Sequence, residues 1–585
     1  MDDSYETLES ILAIDCGSTL TQASLFDLVE GEHRFISRGL APSTVEPPWT
    51  DMTAAVRHAV GDLSEVTGRT IFSSRGQLVS PERPEGGVDV MVATTSASAP
   101  LRLVLAGIAG DVSLTSAYRA LSTTYAVVEG TISLDQRSGG AQQSDIQAQV
   151  NLIHDLKPDA ILMVGGVDGG AEAPVLKTAR AVALACSTMR GGAHPQVIYA
   201  GNAHIRSQVA EIVGGEAELR AVANVRPDLQ TEDLGPLQAE IEELFRTRKM
   251  ERLPGFGTLT EWTPASVLTT ARAFSNTVRY LAQVDQINVL GVDVGGTTTT
   301  LASVLDGHVD LLTRSDLGLS YHAANVLDSV SLESIARWLP FEMELGEVHN
   351  ALLNKSLRYR TMPQTQQDLF LEQAVAREVL RLTTADALQR WPARQATSDL
   401  LPKFHLILAS GGLLANVPHL GQAVLILLDA LQPVGVCELG LDRTKIAPAV
   451  GAMAMVNPLA AAQVMERDVI LNLGTVVAPL GTAKDGDVAL NVKVEHDDGR
   501  SLQVEVPYGS LEILPLPKGE TASLELRPTR RFDVGLGARG KAATTRVRGG
   551  AVGIIIDARG RPLSLADDLA EKQQNTQRWL RDMGA

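Results

Sequence analysis

Two stretches of this chain, far apart, carry the same order of residue types. Near the start stands Leu12-Ala13-Ile14-Asp15-Cys16-Gly17-Ser18-Thr19, and midway stands Leu290-Gly291-Val292-Asp293-Val294-Gly295-Gly296-Thr297-Thr298. In each, an apolar run ends in aspartate, glycine makes a turn, hydroxyl residues follow, and a second apolar run returns (Ala23–Phe26 and Leu301–Val304). Glycine lets the backbone turn tightly against a ligand, and successive N–H groups in such a turn form an anion site. A carboxylate beside phosphate is repulsive unless a divalent cation lies between them, and Mg²⁺ is commonly held by one or two carboxylates, water and phosphate oxygens. Asp15 and Asp293 are therefore candidates to position Mg²⁺ through water or to orient an attacking water. Gly17, Ser18, Thr19, Gly295, Gly296, Thr297 and Thr298 are candidates to hold phosphate. Phosphoryl transfer needs mainly positioning and charge neutralisation, so no cysteine, histidine or serine nucleophile is required. A single Asp-x-Gly is just as readily an ordinary turn; two matching copies between apolar runs weigh against that reading.

Two further elements stand in register with the pair. Phe404–Ala409 reads as a buried strand that leads into Ser410-Gly411-Gly412 and a helix, a place where backbone can approach a flat ligand or phosphate. Ala447–Ala454 reads as a helix of small residues, suited to close packing with or without a ligand. The elements that must position these residues alternate between strand and helix. Val88–Ala93, Leu101–Ala109, Ala126–Ser133, Ala160–Val164, Gln196–Ala200 and Leu219–Val225 read as strands, with helices near 112–124, 142–156, 173–189, 203–213 and 236–249. Such alternation predicts an α/β fold with parallel sheets. Val164–Gly170 is glycine-rich at a strand end, either a plain turn or a place where open α/β sheets bind ligands.

The 585 residues exceed one core, so three or four domains are expected. The formal net charge of −18 makes nucleic acid and anionic membranes poor partners. No run approaches the length of a membrane span; the longest apolar stretch, Val417–Leu431, is interrupted by His419, Gln422 and Asp429 and reads as a buried helix. Cys16, Cys186 and Cys437 lie too far apart for a zinc motif. Their low number, with an acidic start (residues 1–6) unlike a signal peptide, suggests a cytoplasmic protein. Within this acidic chain, Arg527, Arg530, Arg531, Arg539, Lys541, Arg546 and Arg548 cluster. They make either a solvated face or a dock for an acidic surface or a phosphate-bearing group.

In this order the four elements resemble the actin, Hsp70 and sugar-kinase superfamily of ATPases, with the hairpins as its two phosphate motifs and Ser410-Gly411-Gly412 as its adenosine motif. More narrowly, Ile11–Thr19, the Val164-Gly165-Gly166 strand end and the Arg548–Pro562 run resemble the MutL/GlmL-type family, accessory proteins of glutamate mutase and related aminomutases, unrelated to the mismatch-repair MutL. The resemblance implies an actin-like (ribonuclease H-like) two-lobed ATPase with an inserted α/β domain and a C-terminal β-rich domain. It implies ATP and Mg as cofactors, slow Mg-dependent ATP hydrolysis, and an adenosylcobalamin-dependent mutase as partner, from which damaged cobalamin is released. The expected divisions are 9–87 (start of the first lobe), 88–250 (rest of that lobe and the insertion), 251–285 (linker and helix), 286–467 (second lobe), 468–565 (β-rich domain) and 566–585 (terminal helix). Ser18 and Leu20 depart from the Thr-Thr of many superfamily members, and no lysine corresponds evidently to the phosphate-contacting lysine of Hsp70. A small-molecule kinase of the same superfamily and a nucleotide-regulated actin-like scaffold remain as alternatives.

Overall fold

The computed structural model describes residues 8–108, 110–133, 146–189, 194–391, 400–566 and 568–584. The acidic start at 1–6 and the first four residues of the helix expected at 142–156 lie outside the described residues. Strands β1 (Ile11–Cys16), β2 (Leu20–Val29), β3 (Glu32–Pro42) and β4 (Val90–Thr95) come first. Next come β5 (Leu101–Gly107), β6 (Ala126–Ser133), β7 (Ala160–Met163), β8 (Gln196–Tyr199) and β9 (Leu219–Ala221). Then follow β10 (Leu268–Thr269), β11 (Val289–Val294), β12 (Thr299–Leu305), β13 (His308–Arg314), β14 (Leu406–Ser410), β15 (Gly435–Leu441) and β16 (Leu471–Ala478). The last are β17 (Val488–His496), β18 (Ser501–Pro507), β19 (Leu511–Leu514), β20 (Thr521–Pro528), β21 (Ala543–Arg548) and β22 (Gly553–Asp557).

The chain divides into two compact units: residues 1–97, 257–312 and 316–585 form one, and 98–256 with 313–315 the other. The first unit holds two sheets built on one plan. In one the order is β10-β4-β1-β2-β3, and in the other β13-β12-β11-β14-β15-β16-β22-β19. Each begins with a three-stranded antiparallel meander whose first strand, β1 or β11, pairs in parallel with a later strand, β4 or β14. This is the ribonuclease H-like plan, and its repetition makes the unit actin-like. Central strands covered on both faces read as continuous apolar runs, and Ile11, Leu12, Ala13, Ile14, Leu290 and Val292 are all buried.

A helix, Thr270–Asp285, starts with Thr269 accepting from the Arg272 N–H at its N-terminus. Against it lies the small-residue helix Ala447–Met453. A methyl group on Gly451 would sit 1.8 Å from the Ala273 carbonyl oxygen, and the Thr277 hydroxyl donates to the Ala447 carbonyl at 2.6 Å. Close helix packing therefore accounts for the small residues of that segment. The expected linker at 251–285 is instead largely part of this unit, since β10 pairs with β4 and the helix packs inside.

The region expected as a β-rich domain at 468–565 is split. β16, β19 and β22 complete the eight-stranded sheet, and only β18-β17-β20-β21 form a sheet of their own. β16 and β22 are near-continuous buried runs while β17, β18, β20 and β21 alternate, but which neighbour each strand pairs with is set by contacts distant in sequence. The terminal helix spans Leu569–Asp582.

The second unit has its own apolar core, around Val104, Ile161, Val182, Val197 and Tyr199. Its sheet is wholly parallel in the order β6-β5-β7-β8-β9. Gly165 and Gly166 leave β7 with φ of +126° and +72°, conformations open to glycine. Among the described residues no helix is long and apolar enough to cross a membrane.

Candidate functional site

The hairpin turns close alike. In the first the Gly17 N–H donates to the Leu20 carbonyl at 3.0 Å, and in the second the Gly295 N–H donates to the Thr298 carbonyl at 2.8 Å. A side chain on Gly17 would approach the Leu20 oxygen to 2.6 Å, so the turn demands glycine. The two tips meet: Ser18 of the first and Thr297 of the second place their hydroxyls 3.2 Å apart, and Gly296 lies against Thr19. The second hairpin is clasped from outside. Leu319 and Ser320 donate backbone N–H groups to the carbonyls of Gly295 and Gly296, and the His322 ring bonds the Thr297 carbonyl at 2.7 Å. This gives His322 a positioning contact that the sequence did not suggest.

Behind the tips lie three aspartates. Asp15 sits near the end of β1 and accepts from the hydroxyls of Thr94 (2.7 Å) and Thr270 (2.8 Å). Asp293, the corresponding residue of β11, is paired in register with Ser410 of β14. Gly411 follows with φ of +109°, and a side chain there would meet the Val294 carbonyl oxygen at 2.3 Å. The expected Ser410-Gly411 element is thus held directly beside the second hairpin, whereas Gly412 faces open space.

Sequence reasoning missed the third aspartate and the lysine beside it. Asp442, fully buried just past β15, accepts from the Ser410 hydroxyl (3.1 Å) and from the N–H groups of Ile446 (3.0 Å) and Ala447 (2.9 Å). Lys445 stands in the same turn in a left-handed conformation, φ +55°. Gln22 donates to the Thr444 and Lys445 carbonyls, and Arg38 donates to the Thr444 carbonyl at 2.6 Å, so the turn is tied to the first sheet. The sequence signal was weak, because Leu441-Asp442-Arg443-Thr444-Lys445 carries no glycine and resembles any polar turn.

The electrostatics follow from this crowding. Burial, and then the charges of Asp15 and Asp442, push the Asp293 carboxyl up to about 7, with Lys445 opposing. Burial raises Asp442 as well, against the hydrogen bonds it accepts. Burial lowers the Lys445 ammonium, with Arg38 adding to that, against the opposing pull of Asp15, Asp293 and Asp442. Three carboxyl groups face two cations, Lys445 and Arg38, and burial together with the neighbouring acids favours a proton on Asp293. Among the described residues no three His, Cys, Asp or Glu side chains converge as a direct metal cage. The arrangement suits a cation held through water and by a ligand's own oxygens. Cys16, in the first hairpin, is a buried thiol whose ionisation burial pushes upward, as expected of a packing residue.

The family model described as MutL protein matches residues 11–469. No curated protein matches the chain. Among solved structures, the chain is similar to a nucleotide-free acetone carboxylase (14% identity, 85% of this chain and 81% of that one, TM-score 0.35). It is also similar to component A of the (R)-2-hydroxyglutaryl-CoA dehydratase of Acidaminococcus fermentans (10%, 78% and 98%, TM-score 0.26). A third is the xylulose kinase of Bifidobacterium adolescentis (12%, 80% and 96%, TM-score 0.29). Likenesses this low carry no function, and the fold reading rests on the strand order above.

Proposed function

We propose a function from two premises: this chain belongs to the MutL protein family, and its two glycine hairpins meet in front of a carboxylate–lysine cluster. The function is that of an ATP-dependent reactivating factor for an adenosylcobalamin-dependent mutase, such as glutamate mutase or a related aminomutase. The nucleotide half of the proposal is carried by the meeting of Ser18 and Thr297. The client half is carried by the family resemblance in the Ile11–Thr19 and Arg548–Pro562 segments.

Each group then has a task. The hydroxyls and backbone N–H groups of Ser18, Thr19, Gly296, Thr297 and Thr298 cradle phosphates, Gly17 and Gly295 close the turns that present them, and Ser410-Gly411-Gly412 borders the nucleoside. Asp15, held by Thr94 and Thr270, offers its remaining oxygen toward a water shell. Mg²⁺, when bound, supplies charge neutralisation at the phosphates. Asp293, poised near neutrality, can accept a proton from an attacking water. Lys445 offsets negative charge among the three aspartates. Differential affinity for ATP and ADP then provides the free energy to shift between conformations, and the inserted unit is our candidate for recognising the client. A kinase reading needs a further aspartate to act as base toward a substrate hydroxyl. The third carboxylate of the cluster, Asp442, is already engaged by two backbone N–H groups and Ser410, which weighs against that reading.

The test is release of inactivated cobalamin from a purified mutase. The full chain is added with Mg·ATP, with a non-hydrolysable analogue, or as its Asp293→Ala variant. Release only with Mg·ATP and the unaltered chain supports the proposal. ATP turnover without release from any candidate mutase would sink the client half, and absence of nucleotide binding would sink both.

A further inference from the structure

Of the basic cluster noted in the sequence, Arg527 and Arg546 are ion-paired, Arg530, Arg531 and Arg539 line a cavity, and, among the described residues, Lys541 and Arg548 do neither. On the four-stranded sheet and its turns, Arg500, Arg527 and Arg546 are each paired with a carboxylate: Asp498, Glu525 and Asp497. Arg530, Arg531 and Arg539, with Lys484, have no ion-pair partner among the described residues, and all four are exposed. These four line a single cavity of about 610 Å³ with Arg561 and residues 480–483.

Its walls are fixed by backbone. Leu480 and Asp533 exchange two backbone hydrogen bonds (2.8 and 2.9 Å), and a side chain on Gly481 would meet the Arg531 carbonyl oxygen at 2.4 Å. Gly540 turns back with φ of +73°, its N–H donating to the Phe532 carbonyl at 2.8 Å. Asp533, the acid nearest these arginines in sequence, spends its Oδ1 on the Gly535 N–H.

Beneath the cavity runs a buried ion network. Arg377 and Arg559 both bond Asp429, and Arg559 and Arg561 both bond Asp557, at 2.6–2.9 Å, with all five side chains at most 4% exposed. Three guanidinium groups against two carboxylates leave one buried positive charge in excess. Carbonyls of Gln373, Pro433 and Gly560 take further donors of Arg377 and Arg561, and the Trp338 and Trp579 rings face Arg377 and Arg559.

The cavity lies at the other end of the eight-stranded sheet from the hairpin site. β15 runs from Gly435 to Leu441 and delivers Asp442 to the aspartate cluster. Its partner β16 is antiparallel, with Ala478 opposite Gly435. Residues 480–484 therefore emerge at the Gly435 end, where Gly435 also packs against Val534 and Gly535. The length of β15 separates the two places by roughly 20 Å.

We propose that this cavity is a second anion site, distinct from the hairpin site, for a small molecule that carries a phosphate or diphosphate group. Guanidinium groups match phosphate oxygens in paired hydrogen bonds, and the volume lies in the range of small-molecule sites. The convergence of four unpaired cations, Lys484, Arg530, Arg531 and Arg539, on one cavity argues for a small ligand over an acidic protein face. Arg527 and Arg546 on the adjoining sheet are neutralised and Arg530, Arg531 and Arg539 converge on the cavity, whereas Lys541 and Arg548, exposed and without an ion pair among the described residues, stand outside its lining. A polymeric nucleic acid would meet the surrounding net charge of −18.

The experiment titrates inorganic pyrophosphate onto the full chain by calorimetry, at low and then raised salt. Three proteins are compared: the unaltered chain, Arg530→Ser with Arg539→Ser, and Ser18→Ala with Thr297→Ala. We expect a binding phase with a dissociation constant below about 1 mM that is weakened about tenfold or more by the cavity pair and by salt, and that persists in the hairpin pair, which removes only the heat of pyrophosphate taken up at the hairpins. The altered arginines are exposed, so near-ultraviolet circular dichroism should match the unaltered chain, and Lys484→Gln alone should weaken binding partly. No heat of binding, or binding lost only in the hairpin pair, would overturn the proposal. So would a poly-glutamate peptide that binds through Arg530 and Arg539 where pyrophosphate does not. Because the readout is pyrophosphate binding, failure here leaves the ATP-dependent reading untouched.

Discussion

Replacing Asp293 by asparagine should stabilise the nucleotide-free protein, and by an amount that depends on pH. The native carboxyl is pushed from 3.8 to about 7 by burial and by Asp15 and Asp442, against the opposing Lys445. Between those two values the folded chain keeps a proton that the unfolded chain has lost. Native stability therefore falls as pH rises from about 4 to about 7, and levels off above that. A tenfold change in proton affinity is worth about 1.4 kcal/mol, so the whole displacement amounts to roughly 4 kcal/mol. Asparagine cannot ionise and removes the penalty. The titratable part of the variant's advantage should grow from roughly 2 kcal/mol near pH 5 to roughly 4 kcal/mol near pH 8. Urea unfolding of both chains, in chelator and without nucleotide, measures it, with the transition followed by a probe in the first unit. The increase of roughly 2 kcal/mol between the two pH values is the diagnostic quantity, because a general effect of the amide on packing would be the same at both. A pH-independent difference, or an advantage that shrinks with rising pH, would refute the electrostatic reading of the cluster. Mg·ATP should narrow the gap at pH 8, since a bound cation favours the ionised carboxylate of the unaltered chain.

Other outcomes follow from the same geometry. Lys445→Met leaves three carboxylates without their ammonium; nucleotide affinity measured by calorimetry should fall by about tenfold or more, and the Asp293 titration should move to higher pH. Gly411→Ala forces a side chain against the Val294 carbonyl at a left-handed φ; urea unfolding should show a loss of about 2–4 kcal/mol, with nucleotide binding impaired even at permissive temperature. Asp557→Asn strands the guanidinium groups of Arg559 and Arg561, at a cost of about 3–5 kcal/mol. In the unaltered chain burial alone would raise the Asp557 carboxyl, but Arg559 and Arg561 hold it well below the usual range. Its contribution is thus present above the ordinary carboxylate pKa and disappears on strong acidification, which acid-unfolding curves of the two chains should show as a narrowing difference.

The hairpins were legible because each combines signals at several levels. Apolar runs specify central strands, and Gly17 and Gly295 are fixed by turns that leave little room for a side chain. Ser410-Gly411 was legible for the same reason, since the backbone of Val294 excludes anything larger. Asp442 and Lys445 were not. Their place depends on β15 pairing in parallel with β14, and on Gln22 and Arg38 reaching the turn across 422 and 406 residues of sequence. No local pattern encodes a partner that distant. The split of the C-terminal strands was hidden likewise. β22 reads as a buried strand wherever it lies, and only its pairing with β16 and β19 assigns it to the large sheet.

The Arg548–Pro562 run, which narrowed the family resemblance, shows why a motif without an evident chemical task can still be constrained. It supplies β22, whose Gly553 approaches the backbone of Gly474 so closely that a side chain on Gly474 would sit 1.9 Å from the Gly553 oxygen. It then supplies Asp557, Arg559 and Arg561, which close the buried network with Asp429 and Arg377. A network of this kind adds little net stability over an apolar core, because desolvation offsets most of the attraction. What it does supply is charge at a fixed place: Arg561 lines the basic cavity from just beyond β22, which lies two positions from β15 in the same sheet. β15 in turn leads into Asp442. The sheet therefore connects a positively charged cavity at one end with an aspartate cluster at the other through paired strands. If ligands at the two ends influence each other, the register between β15 and β16, irregular at Leu439/Gly440, is the place where a small shift can be taken up. Filling that irregularity with Gly440→Ala, whose methyl group would press on Ile470 at 2.8 Å, should then alter any such coupling more than it alters binding at either end alone. Calorimetric titration of each ligand in the presence and absence of the other would measure this, and equal coupling in both chains would place the linkage elsewhere.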